Sequence, residues 1–225
     1  IGFNKCGTTS LYEFFKHNGV SSIHHGGNGG KLATSMFANH KLGRKLISPE
    51  YKDISFFSDM ECINEKVKEP LYVAQNLFRK LAKQYPNSYF ILNIRDRDNW
   101  IKSRINHSNG IYLERIAKKT GLTKQEVVAN WVKEWDVHIS NVKKFFKKHP
   151  GRLVIFNIEK DNISKIINFF RDKCGLKLNA SHYEHHGSTK VKRIQKWGQP
   201  STQHLSTFQQ LVEPIASSPA LGDDL

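Results

Sequence analysis

Apolar positions recur along the chain with two spacings, and the alternation between them predicts a succession of strands and helices. Residues 9–18 read as a helix: Leu11, Phe14 and Phe15 share a face, Ser10 and Glu13 have capping-box spacing, and Asn18-Gly19 is a stop signal. A short strand is predicted at 20–23, then a glycine-rich loop, "HHGGNGGK" (24–31), and a helix over 31–40. "DISFFSD" (53–59) reads as a strand. The segment 70–86 reads as a helix with Leu71, Ala74, Leu77, Phe78 and Leu81 on one side. "SYFILNIRD" (88–96) and "RLVIFNI" (152–158) are continuous apolar runs, the pattern of strands buried on both faces. Further helices are predicted at 99–107, 123–148 and 162–175. The long one opens on the capping pair Thr123 and Glu126, and its Val127, Val128, Trp131, Trp135, Ile139, Val142, Phe145 and Phe146 form one stripe. Pro150-Gly151 stops it.

This order predicts an α/β fold of three layers, a phosphate-loop-like architecture with a central parallel sheet flanked by helices. Ligands on such sheets bind at the carboxyl ends of the strands. A single domain is expected over 1–199. The remainder, 200–225, is rich in Ser, Pro and Gln and is expected to hold one more helix, at 202–213, and a loose tail.

Length and composition agree with this picture. A chain of 225 residues suits one α/β domain. No run approaches the roughly 18 apolar residues of a membrane-spanning helix, and no internal repeat is visible. The formal net charge of +15 favours anionic partners. Three cysteines, Cys6, Cys62 and Cys174, make neither a disulfide framework nor a zinc pattern. They favour a reducing compartment, and a cytoplasmic location is expected. Asn106, Asn162 and Asn179 head glycosylation-type triplets that would matter only in a secreted protein.

The opening stretch carries the chemistry. In "GFNKCGTTSL" (2–11), Gly2 and Gly7 keep the spacing of a phosphate loop, but Lys5 lies inside the loop and Thr8 follows the second glycine. Amide groups from Lys5 to Ser10 can face an anion at a helix amino-terminus, and Thr8, Thr9 and Ser10 add hydroxyl donors. Such a loop needs a buried strand before it. Only Ile1, Gly2 and Phe3 are left to form one, so further residues or a leader are expected upstream, and a leader would make the Golgi lumen the alternative compartment. A second cluster follows the strand 88–94: Arg95 at its end and Ser103 eight positions on can clamp one isolated phosphate.

Here the sequence resembles the sulfotransferase family. "NKCGTTSL" looks like that family's 5′-phosphosulfate loop, and "FILNIRDRDNWIKSR" looks like its 3′-phosphate motif. The resemblance implies 3′-phosphoadenosine 5′-phosphosulfate (PAPS) as donor and 3′-phosphoadenosine 5′-phosphate (PAP) as product. It implies donor contacts from Lys5, Cys6, Gly7, Thr8, Thr9, Ser10, Arg95 and Ser103. Lys5 would neutralise charge growing on the leaving oxygen, a task that requires no metal. The acceptor would be a hydroxyl or amine of a glycan, a glycolipid, a peptide tyrosine or a small molecule. The basic stretches "NHKLGRK" (39–45) and "KKFFKK" (143–148) suit an acidic glycan.

A general base is also expected. Relatives carry Glu or His after the first helix, and here "SSIHHGG" places His24 and His25 in that stretch. Asp59 and Glu61, after the strand 53–58, are rivals ranked just behind the two histidines. The family's late basic loop would correspond to "HHGSTKVKR" (185–193), with Lys190, Lys192 and Arg193 against the 3′-phosphate and adenine. Trp100 reads as core. Two other classes stay open: a phosphate-loop kinase or NTPase with a displaced lysine, and a basic nucleic-acid-binding module. The Arg95/Ser103 pair argues against the first. The single apolar stripe holding Trp131, Trp135, Phe145 and Phe146 argues against the second, so no nucleic-acid partner is expected.

Overall fold

A computed structural model describes residues 1–26, 30–65 and 67–184. The expected contacts of Lys190, Lys192 and Arg193, and the helix at 202–213, fall outside these residues.

Helices cover both faces of parallel strands. Strand β1 (Ser22–His24) pairs in parallel with β2 (Phe56–Ser58), His24 opposite Ser58. A short antiparallel pair, β3 (Glu61–Cys62) with β4 (Leu71–Tyr72), follows. Strands β5 (Phe90–Ile94) and β6 (Leu153–Asn157) pair in parallel, Ile94 opposite Asn157. The side chains of β5 alternate between two cores, as the pleat dictates. Ile91 joins Leu11, Phe14 and Phe15 of α1 (Thr8–His17) and Ile166 of α7 (Ser164–Cys174). Phe90 and Leu92 join Leu32 and Met36 of α2 (Lys31–Lys41), Phe78 of α3 (Val73–Gln84) and Phe146 of α6 (Lys124–Lys147). This two-sided burial explains the unbroken apolar run. Each fully buried Phe or Leu contributes roughly 1.5–3 kcal/mol.

A third core packs α4 (Arg97–Ile105), α5 (Ile111–Thr120) and the first half of α6 beneath Phe3 and Cys6. Trp100 and Trp131 are fully buried there. A cavity of about 1540 Å³ lies between the β1–β2 and β5–β6 pairs, bordered by Phe15, Phe56, Phe57, Phe90 and Ile91. Residues 1–3 run beside β5, where the Ile1 amine donates to Ile91 O at 2.7 Å.

Several expected boundaries move. The Ser10/Glu13 capping box does not form: α1 begins at Thr8 behind Gly7, so Ser10 is inside the helix and buried. The Thr123/Glu126 box does form, with both reciprocal hydrogen bonds present. The strand at 53–59 contracts to Phe56–Ser58, and the helix at 70–86 starts only at Val73, because Leu71 and Tyr72 pair with β3. Helix α5 was not expected. Its signal lay in Leu113 and Ile116, three apart, between Gly110 and Gly121, which cap it in the left-handed conformation. No helix of the described residues is long and apolar enough to cross a membrane.

Candidate active site

Five segments meet at the carboxyl ends of the parallel strands: the loop 2–7, and the residues that follow β1, β2, β5 and β6. The loop is held from behind, carbonyl by carbonyl. Gln75 Nε2 donates to Gly2 O at 2.9 Å, Trp100 Nε1 to Asn4 O at 3.0 Å, Arg95 Nη1 to Lys5 O at 3.2 Å and Asn93 Nδ2 to Cys6 O at 2.9 Å. In a planar trans peptide the next N–H points opposite to the carbonyl. Pinning the carbonyls of Asn4, Lys5 and Cys6 therefore turns the amides of Lys5, Cys6 and Gly7 away from the scaffold, as an anion-binding loop requires.

Space fixes both glycines. A Cβ on Gly2 would lie 2.1 Å from Asn93 O, and one on Gly7 would lie 2.9 Å from Ile158 Cγ2. Gly7 also has φ +78°, and it caps α1 without a side-chain bond, leaving that helix end open to a ligand. Lys5 (φ 62°), His25 (φ 60°) and Asp59 (φ 55°) adopt the same left-handed conformation, which non-glycine residues rarely take. Three such residues at one edge are local strain concentrated at a site.

Behind the loop lies a buried polar network. Arg104 is fully buried, its guanidinium 4.6 Å from the Trp131 ring centroid and 4.8 Å from that of Trp100. Its Nε donates to Asn4 Oδ1 at 3.1 Å and its Nη2 to the Tyr112 hydroxyl at 2.7 Å. Tyr112 also accepts from Asn4 Nδ2 and donates to Glu61 Oε1 at 3.2 Å. Burial, aided by the nearby Asp59 charge and opposed by Arg104 and Tyr112, pushes the Glu61 carboxyl up to about 8. Glu61, a rival base on sequence, is thus 95% buried and committed to this network.

The other candidate bases separate. His24 turns toward the loop: its Nε2 is 3.4 Å from Thr9 Oγ1 and 3.5 Å from Asp59 Oδ2, and its Nδ1 is 3.0 Å from Ser58 Oγ. Its ring stacks on Tyr12, 5.3 Å between centroids. Burial lowers its pKa, more than the Asp59 charge raises it, which favours the neutral imidazole. His25 instead packs beside Gly30, where an added Cβ would lie 3.3 Å from its Cε1. Asp59 Oδ1 is buried without a hydrogen-bond partner among the described residues.

The remaining expected residues fall as follows. Lys5, Thr8 and Thr9 are half-buried, and Ser10 and Cys6 are buried. Burial pushes the Cys6 thiol well above its ordinary pKa, so it is present as the thiol. Arg95 follows β5, and Ser103 is half-buried on α4. Arg95 has a carboxylate partner that sequence reading missed, Glu159, 3.0 Å from its Nε. Asn4, Asn93, Arg104 and Tyr112 were missed too, because a polar residue in an apolar run or helix gives no sign of which distant backbone it will meet.

Parallel strands with a loop-to-helix turn at their carboxyl ends define an α/β protein of the phosphate-loop-like class. Residues 1–120 match the sulfotransferase domain family, and the chain belongs to that family. It is accordingly a transferase enzyme of the sulfotransfer class. No curated protein is matched by the chain.

Proposed function

We propose that the enzyme moves a sulfuryl group from PAPS to an acceptor hydroxyl. The observation that carries this reading is the hydrogen bond from Arg95 Nη1 to Lys5 O. It brings together, across 90 positions, the loop that resembles a 5′-phosphosulfate motif and the strand end that resembles a 3′-phosphate motif. A donor with phosphate at both ends of its ribose suits that span. The loop amides and the hydroxyls of Thr8 and Thr9 would hold the 5′-phosphosulfate, and Arg95 with Ser103 would meet the 3′-phosphate. Lys5 would neutralise charge on the oxygen that leaves sulfur.

Geometry favours Asp59 as the base, ahead of either histidine. Both nitrogens of His24 already have polar neighbours, whereas the Asp59 side chain is about one-fifth exposed beside that ring and its buried Oδ1 has no partner among the described residues. Asp59 would take the acceptor proton, and His24 would hold the carboxylate beside Thr9.

An acidic-glycan acceptor gains no support from the basic stretches. Residues 143–148 end α6 just before β6 begins, and residues 44–47 are held by Gln84 and Tyr85, just before β5. Both stretches therefore lie at the amino ends of the strands, opposite the loop.

Calorimetry tests the donor. PAP should bind without added metal and more tightly than ATP with magnesium. Preference for magnesium-ATP would instead select the kinase or NTPase reading.

A further inference from the structure

The arginine that a 3′-phosphate would need already holds an anion. The parallel register sets Ile94 opposite Asn157, and Ile158 N donates to Ile94 O at 2.9 Å. This delivers residue 159 to the point where the chain leaves β5 for α4. There the Glu159 carboxylate collects four donors. Its Oε1 accepts from Arg95 Nε at 3.0 Å, from Arg95 Nη2 and from Asn99 Nδ2 at 3.2 Å, and its Oε2 accepts from Asp96 N at 2.9 Å. A fork of Arg, an amide side chain and a backbone N–H at a helix amino-terminus is a binding arrangement for a tetrahedral oxyanion. Burial of Glu159 opposes its ionisation, but the Asp96 amide and Arg95 outweigh that and lower its pKa, so the carboxylate is charged. Both side chains remain about one-fifth to one-quarter exposed, open enough for exchange with a ligand.

We propose that Glu159 sets the affinity of the donor site and the rate of product release, as a resident anion that the nucleotide 3′-phosphate must displace from the Arg95 fork. This rests on the PAPS reading above. Arg95 has two edges with separate tasks. Its Nη1 holds Lys5 O, while its Nε and Nη2 are exchanged between Glu159 and phosphate. The loop thus stays braced whether or not nucleotide is bound. A phosphate dianion competes well against a single carboxylate charge, and a nucleotide lacking the 3′-phosphate has nothing to offer that fork. After transfer, return of Glu159 competes with PAP and speeds its release.

The test is calorimetry and stopped-flow release with PAP and with adenosine 5′-monophosphate, on wild type, Glu159→Gln and Glu159→Ala. Melting curves identify which variants fold, and Glu159→Gln keeps the side-chain shape should the shorter residue loosen α4. PAP should bind the variants about tenfold more tightly, the scale of one charge-assisted contact, with slower release. Binding of the 5′-monophosphate should be unchanged. Wild-type binding of PAP with no gain in folded variants, weaker binding, or an equal gain for both nucleotides would overturn the role of Glu159 alone. Failure of wild type to bind PAP at all would overturn the donor reading, and this role with it.

Discussion

His24 Nε2 lies 3.5 Å from Asp59 Oδ2, although the two residues belong to different strand ends and are 35 positions apart in the chain. The parallel pairing of β1 with β2 creates this contact, because His24 is opposite Ser58 and Asp59 is the next residue. The same imidazole is 3.4 Å from Thr9 Oγ1, so it ties the strand ends to the first turn of α1. A proton acceptor placed here stands beside the loop that would hold the sulfuryl group.

This arrangement assigns unequal roles. Asp59→Asn should lower turnover by roughly 10²–10⁴-fold, the usual contribution of general-base catalysis. His24→Ala should cost less, up to about 10²-fold, through misplacement of Asp59. His25→Ala should leave turnover close to wild type, since its ring packs beside Gly30. Donor affinity should change little in all three. Steady-state kinetics with a fixed acceptor checks the ranking. A dead His25→Ala beside an active Asp59→Asn would reverse it.

Lys5 and Arg95 separate chemistry from binding only in part. Lys5→Ala should lower kcat while leaving PAP affinity nearly intact, because its charge matters most as the leaving oxygen develops. Arg95→Ala should weaken PAP binding by roughly 1.5–3 kcal/mol. It should also lower kcat, since Arg95 Nη1 holds the carbonyl of Lys5 itself. A change confined to affinity would mean that the loop does not depend on this brace.

The buried network predicts a pH-dependent stability. Glu61 has a folded-state pKa near 8 against an ordinary value of 4.5. Its neighbours are the charges of Asp59, Glu134 and Arg104 and the Tyr112 hydroxyl. A carboxyl with a raised pKa keeps its proton in the fold and loses it in the unfolded chain. Its stabilising effect is complete below pH 4.5 and declines as pH rises to about 8. Glu61→Gln removes this titration. The variant should therefore gain in melting temperature relative to wild type as pH rises from 5 to 8. A constant difference across that range would show that Glu61 is already ionised.

Much of the fold was legible because its signals are local. Apolar runs marked β5 and β6, a 3.6-residue stripe marked α6, and the glycine spacing marked the loop. Contacts that depend on register were not legible. Glu159 meets Arg95 only because β5 and β6 align Ile94 with Asn157, and no local pattern states that alignment. Arg104 lies one residue beyond Ser103, and no local pattern of that helix marks it as buried. Its burial follows from the tertiary meeting of α4, α5 and α6 around Phe3. The His24 and His25 pair was visible, but which ring turned inward depended on the left-handed turn at His25.

Arg104 offers the sharpest test of the scaffold beneath the loop. Asn4 and Tyr112 accept from two nitrogens of this fully buried cation and aromatic faces surround the guanidinium, while Nη1 has no hydrogen-bond partner among the described residues. Arg104→Ala leaves Asn4 Oδ1 without that donor, which alone costs about 1–3 kcal/mol, and opens a cavity between Trp100, Tyr112 and Trp131 that adds to the loss. Arg104→Lys keeps the charge but loses the fork, so it should fold while holding Asn4 less firmly. The adjacent Lys5 would then lose part of the backbone support for its left-handed conformation. Arg104→Lys should therefore lower kcat more than it raises the KM for donor, although the residue touches neither donor nor acceptor in the proposed arrangement. Chemical denaturation gives the stability, and kinetics on the folded variant gives the split. An Arg104→Lys enzyme with wild-type kcat would show that the loop keeps its shape without the buried fork.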